Sequence, residues 1–198
     1  EITITYLLNT NQAKKSVCLY YDDIEGFADE RWDIELVGDI SEYWSQSDSI
    51  VHSGSAAWRV GNVGSFSNHT LTNGDYYEVT GNNPVYRFYQ YYNTEKGYDG
   101  GFLEISTEAD PEWKLLDDKI FRNSYPSYFI FLTLGIPNLY GYTGLSSPEK
   151  IMEPTYIDLS DYTGEKVKIR YHFYTDGEFP GDGWYVDDVE LSDALFYN

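Results

Sequence analysis

The chain lacks most of the residues that anchor catalysis or cross-linking in a domain of its size. Of its 198 residues one is cysteine, Cys18, so no disulfide can form within the chain. Set in Val17-Cys18-Leu19, it reads as a small buried core residue rather than a reactive thiol, and it says nothing about redox compartment. Histidine is almost as scarce. His52, His69 and His172 are scattered, and no His-Glu-x-x-His spacing for zinc is present. Thirteen lysines and arginines stand against 33 aspartates and glutamates, a formal net charge of −20. Such a surface repels phosphate backbones and anionic lipid, which excludes nucleic acid as a direct partner and argues against lipid docking. No stretch reaches the ~18 apolar residues of a membrane span. The phosphate-cradling loop, the dinucleotide fingerprint and the Gly-x-Ser-x-Gly elbow are missing too. A Ser-His-Asp triad is defined by geometry, and no spacing here points to one. With so many acids, carboxylate pairs arise by chance and say nothing of glycoside hydrolysis. The common enzyme signatures are thus mostly missing from the sequence.

What is abundant is aromatic: 21 tyrosines, 10 phenylalanines and 5 tryptophans make 18% of the residues. Aromatics favour pleated, half-buried surfaces. The hydrophobic period is two almost throughout. Val167, Ile169, Tyr171 and Phe173 alternate with Lys166, Lys168, Arg170 and His172, where His172 reads as solvated. Turn signals at Asn73-Gly74-Asp75, Gly81-Asn82-Asn83-Pro84, Asp99-Gly100-Gly101 and Gly181-Asp182-Gly183 punctuate the strands. No window carries a helical stripe longer than about two turns. Residues 1–198 therefore read as one all-β domain, a jelly-roll sandwich of two antiparallel sheets. Ile2, Ile4, Tyr6 and Leu8 mark a strand within residues 1–10, followed by a polar tether at 11–16. Two readings stay open: an edge strand of the same sandwich, or a strand donated to a second subunit of a homopolymer. Glu1 in place of Met is compatible with a secreted chain or one cut from a larger protein. Asn68-His69-Thr70 is a glycosylation sequon, expected on a surface loop.

The acids are clustered at turns. Asp22, Asp23 and Glu25 follow the apolar run Val17–Tyr21, Asp182 sits between two glycines, and Asp187-Asp188 interrupts the last strong strand. Trp184 and Val186 share one face, whereas Val189 and Leu191 continue in the opposite phase, which places a bulge at Asp187-Asp188. Otherwise one aspartate would point into the core, at a cost only pairing or a metal offsets. Calcium, a hard ion with six to eight oxygen ligands, suits such acids; a solvated acidic rim is the alternative. The EF-hand pattern is absent, so any site is assembled from distant segments. Glu95 with Asp99, in a glycine-bounded turn, is a second metal candidate, against an ordinary Asp/Gly hairpin. Tyr140 and Tyr142, with Trp44 and Trp113, are candidate platforms for sugar rings, against plain core packing.

Taken in order, several segments resemble a known family. They are Asp23-Ile24-Glu25-Gly26-Phe27, His52-Ser53-Gly54-Ser55-Ala56-Ala57-Trp58 and Tyr91–Gly101 running into Leu103–Ser106. Ile157–Gly164, the strand Val167–Tyr174 and Asp182-Gly183-Trp184-Tyr185-Val186-Asp187-Asp188-Val189 complete the set. The pattern, spanning roughly residues 17–192, resembles the secreted jelly-roll modules attached to immune inhibitor A-type metallopeptidases. It is also similar to cleaved-adhesin and MAM-like domains. The resemblance implies a calcium-stabilised, non-catalytic, extracellular or cell-surface module. It implies ligation by Glu25, Asp187 and Asp188, with a carbonyl or hydroxyl from Ser53-Gly54. The leading expectation is a Ca2+-stabilised module for adhesion, binding or assembly, with a cell-surface protein, a glycan or further copies of itself as partner. A filament or coat subunit and a carbohydrate-binding module are the alternatives.

Overall fold

The computed structural model describes residues 2–6, 14–62, 64–131 and 136–193. Chain order gives β1 (Ile2–Tyr6), β2 (Lys14–Asp22), β3 (Trp32–Gly38), β4 (Ser45–Ser47), β5 (Ala57–Asn62) and β6 (Phe66–Asn73). Next come β7 (Tyr77–Glu78), β8 (Pro84–Asn93), β9 (Gly100–Thr107), β10 (Lys114–Leu115) and β11 (Ile120–Arg122). The last are β12 (Ser127–Phe131), β13 (Ile136–Gly141), β14 (Glu153–Asp158), β15 (Lys166–Asp176) and β16 (Gly181–Asp193). The larger sheet runs β1-β2-β16-β8-β14-β11, with β5 also on β16 and β4 on β5. The smaller runs β10-β9-β15-β6-β3, with β7 on β15, and β12 and β13 pair with each other. All these pairings are antiparallel, so the expected sandwich of two antiparallel sheets is the fold.

The period-two pattern builds the core. Val167, Ile169, Tyr171 and Phe173 of β15 are fully buried between the sheets, while Lys168, Arg170 and His172 lie on the other face. Tyr171 meets Trp44, Trp184 and Phe88 edge-on, at centroid separations of 6.3, 5.6 and 5.1 Å. Each such pair adds roughly 0.5–1.5 kcal/mol beyond area burial. The buried indole of Trp184 is satisfied, since its Nε1 donates to Gln90 Oε1 at 2.8 Å. Gln90 in turn donates to Thr155 Oγ1 at 2.6 Å. Trp184 also explains Gly101: a Cβ there would stand 2.1 Å from the indole ring.

Strand β16 organises the larger sheet. One edge pairs with β8 along most of its length. The other is shared: β5 pairs with Gly181–Val186 and β2 with Val189–Asp193. Asp187 and Asp188 lie in the gap between them, at a register shift against β8 and with Asp188 at φ +47°. The phase change in the sequence thus marks a real bulge.

The N-terminal strand pairs with its own chain: Ile2, Ile4 and Tyr6 lie opposite Cys18, Ser16 and Lys14 of β2. Strand β2 begins at Lys14, inside the stretch expected to be tether. Cys18 is half-buried rather than a core residue, because β2 has only β1 on its outer side. Leu8, the rest of the tether and residues 195–197 lie outside the described residues.

Candidate functional site

At one end of the sandwich the chain passes from the larger sheet to the smaller between β8 and β9, and back between β15 and β16. Both connections carry acids. Ligand oxygens of Glu95, Asp99 and Asp176 all lie within 4.8 Å of one another, so the turn candidates Glu95 and Asp99 do meet, joined by Asp176. The turn is rigidly built. Thr94 Oγ1 donates to the Asp99 carbonyl at 3.0 Å, and Thr143 Oγ1 to the Glu95 carbonyl at 3.1 Å. Asp99 is fully buried, and its Oδ1 accepts the Asp176 N–H at 2.8 Å. Its Oδ2 and Glu95 Oε2 are buried without a hydrogen-bond partner. The Asn62 amide, which ends β5 and is only 3% exposed, faces the Asp99 carboxyl and favours its ionised form, with neither polar atom at full hydrogen-bond geometry. Burial pushes the Asp99 carboxyl up to about 7, and the neighbouring charges of Asp176 and Glu95 add to it. Glu95 is raised by burial and by Asp176 and Glu178. Asn62 and Asp176 were missed by sequence reasoning, although Asp176-Gly177 and Gly61-Asn62 are turn signals.

The second acidic region is the β16 bulge. Asp187 is fully buried, and its Oδ2 accepts the backbone N–H of His52 at 2.8 Å and of Ser53 at 3.2 Å. Burial still pushes it up to about 6. Asp188 accepts from Ser53 Oγ at 3.0 Å and from the Tyr21 hydroxyl, and faces His52 Nδ1. The His52 ring stacks on Tyr89 at 3.3 Å. Glu25 reaches the same loop two residues on, where it accepts from Ser55 N–H and Oγ, each at 2.6 Å, and from Ala56 N–H at 2.9 Å. Gly54 suits this turn because its φ is +61°, and it leaves room for the Glu25 carboxylate, from whose Oε1 a Cβ would stand 2.3 Å. The three acids named by the family resemblance therefore converge on residues 52–56, each already bonded to N–H and O–H donors. Asp23 is exposed and accepts the Glu25 N–H at 3.2 Å. Asp182 is held by Lys150 at 2.9 Å, the Tyr91 hydroxyl at 2.7 Å and Asn93 at 3.2 Å.

The aromatic candidates divide. Trp44 and Tyr142 are fully buried core residues, which removes them as sugar platforms. Tyr140 is 49% exposed and, with Asp117, Asp118, Ser124 and Tyr125, lines a shallow cleft of about 260 Å³. Tyr125 is fixed there by the Leu103 N–H, which donates to its hydroxyl at 2.8 Å. Trp113, half-buried beside the smaller sheet, lies under the Arg170 guanidinium at 4.3 Å. Arg170 donates to Glu104 at 2.6 Å, and His172 contacts Glu104 at 3.0 Å and Asn68. His172 is thus paired rather than solvated. Burial raises Glu104, but His172 and Arg170 outweigh it and hold the carboxyl below its ordinary range. The sequon residue Asn68 lies in strand β6 rather than on a surface loop, between β15 and β3.

No family model matches the chain. A sequence relative, Bacillopeptidase F of Bacillus subtilis (strain 168), is 26% identical over 107 residues, which is 54% of this chain and 6% of that protein. Among solved structures, a xylan-binding domain of CBM 22 superposes with a TM-score of 0.50 at 10% identity, covering 91% of this chain and 97% of that one. The K2 cleaved adhesin domain of Lys-gingipain gives 0.49 at 17% identity, covering 87% and 98%. The shared feature is the antiparallel β-sandwich. At these identities the likeness establishes architecture, and function rests on this chain's own residues.

Proposed function

We propose that the chain is a non-enzymatic, extracellular glycan-binding module, with the Tyr140 cleft as its ligand site. The observation that carries this reading is the cleft itself. The exposed Tyr140 lines it together with Asp117, Asp118 and Ser124. The ring offers an apolar face for the C–H face of a sugar, and the oxygens accept from and donate to its hydroxyls. The cleft is shallow and acidic, which suits a neutral, hydroxyl-rich chain better than an anionic or apolar ligand. The acids are held as a wall: Asp117 Oδ1 accepts the Asp118 N–H at 2.8 Å, and Asp118 pairs with Lys119 at 3.4 Å. The sandwich is also a scaffold shared with a xylan-binding domain, a fold-level analogy that agrees with the reading.

A glycan array tests it. The wild type is expected to retain neutral polysaccharides without shortening them. Tyr140→Ala is expected to weaken retention about tenfold, or roughly 1.4 kcal/mol. Asp117→Asn is expected to weaken it less. An array silent to the wild type, or signals unchanged in Tyr140→Ala, would sink the proposal.

A further inference from the structure

We infer that Glu95, Asp99, Asp176 and Asn62 form a calcium site that ties the two sheets together at the end where the chain crosses between them. Three carboxylates alone would be an ordinary acidic cluster. What singles this one out is the buried polar chemistry left open beside it. Asp99 is fully buried, yet its Oδ2 and Glu95 Oε2 have no hydrogen-bond partner of normal geometry; the nearly buried Asn62 amide faces the Asp99 carboxyl and favours its ionised form without closing such a bond. Buried polar atoms are almost always satisfied, so such orphans in one place call for a partner. The charges acting on Asp99 and Glu95 are those of other acids, so the missing partner is a cation.

The donor set selects the ion. All the ligands are hard oxygens from carboxylates and an amide, with no imidazole or thiolate among them, which disfavours zinc and copper. Oxygens on opposite sides of a Ca2+ with ~2.4 Å bonds lie up to ~4.8 Å apart. The three carboxylates meet that span. Asp176 is on the exposed side, which leaves room for water in a seven- or eight-fold shell. Magnesium, octahedral and reluctant to shed water, fits a buried Asp99 and Asn62 less well.

The ion would join three segments. Glu95 and Asp99 lie on the β8–β9 crossover, Asn62 ends β5 of the larger sheet, and Asp176 ends β15 of the smaller. Its role is to clamp, separate from the bulge at Asp187-Asp188, where protein donors already occupy the carboxylate oxygens.

Calorimetric titration of the chain with CaCl2, no glycan present, tests this apart from the array. The wild type is expected to bind calcium and to melt about 5–10 °C higher at ~100 times the dissociation constant than in chelator. Asp99→Asn and Asp176→Asn are each expected to weaken calcium binding at least tenfold while melting cooperatively in chelator. Asp99→Asn keeps an acceptor for the Asp176 N–H and sheds a buried charge, so in chelator it melts no lower than the wild type. Glu25→Gln is expected to bind calcium as the wild type does. No calcium binding by the wild type overturns the inference. So does undiminished binding in Asp176→Asn, which decides the matter if Asp99→Asn fails to fold. Loss of binding in Glu25→Gln alone would move the ion to the bulge loop and overturn it equally.

Discussion

Glu104 sits on a strand face with an arginine on one side and a histidine on the other, and it is nearly buried. Its folded pKa is below the ordinary glutamate value of 4.5, so its contribution is fully present above that value. The contribution is lost as pH falls through the lower folded value. Glu104→Gln leaves Arg170 and His172 without their anion and is expected to cost about 3 kcal/mol at neutral pH. The gap from the wild type should close on acidification below the carboxylate range. Denaturant melts of both proteins between neutral and acid pH check this. A gap that persists at low pH would mean that packing, not charge, is what Glu104 supplies. Residue by residue, legibility followed locality. Glu95 and Asp99 could be paired from sequence because one glycine-bounded turn holds both. Asn62 and Asp176 come from distant strands, and only the crossing of the sheets delivers them. Trp44 and Tyr142 looked like platforms because a chain this aromatic gives no local sign of which rings face inward.

Strands were legible wherever alternation was strict, as in β15, and the break in alternation along β16 located its bulge. Weaker signals misled. The polar residues that open β2 resemble a linker by composition, and only antiparallel pairing with β1 makes them strand. At the start of β9, Gly101 is held by the indole of Trp184, not by a turn requirement. Gly101→Ala should therefore destabilise by about 1–3 kcal/mol through overpacking against Trp184. Chemical denaturation would show it as a lower midpoint at unchanged slope. An unaltered midpoint would mean that β9 and β16 can part without cost.

At the scale of the molecule, the dominant fact is the net charge of −20. Self-repulsion of that size destabilises the compact state and is screened by salt, with a Debye length near ~30 Å at 0.01 M and ~10 Å at 0.1 M. In chelator, melting temperature is expected to rise as NaCl goes from ~0.01 to ~0.15 M, read by scanning fluorimetry. Calcium at equal ionic strength should add a further increment, because a clamp acts by ligation rather than screening. If NaCl alone matches the calcium effect, charge density explains both and no specific ion is required.

The shared edge of β16 also decides how the domain meets a pull. Ile2 lies opposite Cys18, and Val17 opposite Asp193, so the described ends of the chain emerge side by side. Tension between them would act on the first rungs of β1 and β2 alone and open them in turn, as a zipper opens. It would not load every rung at once, as shear does. In an optical trap gripping these ends, β1 and then β2 should peel away at low force. The crossover end, farthest from the grip, would be the last to feel the load.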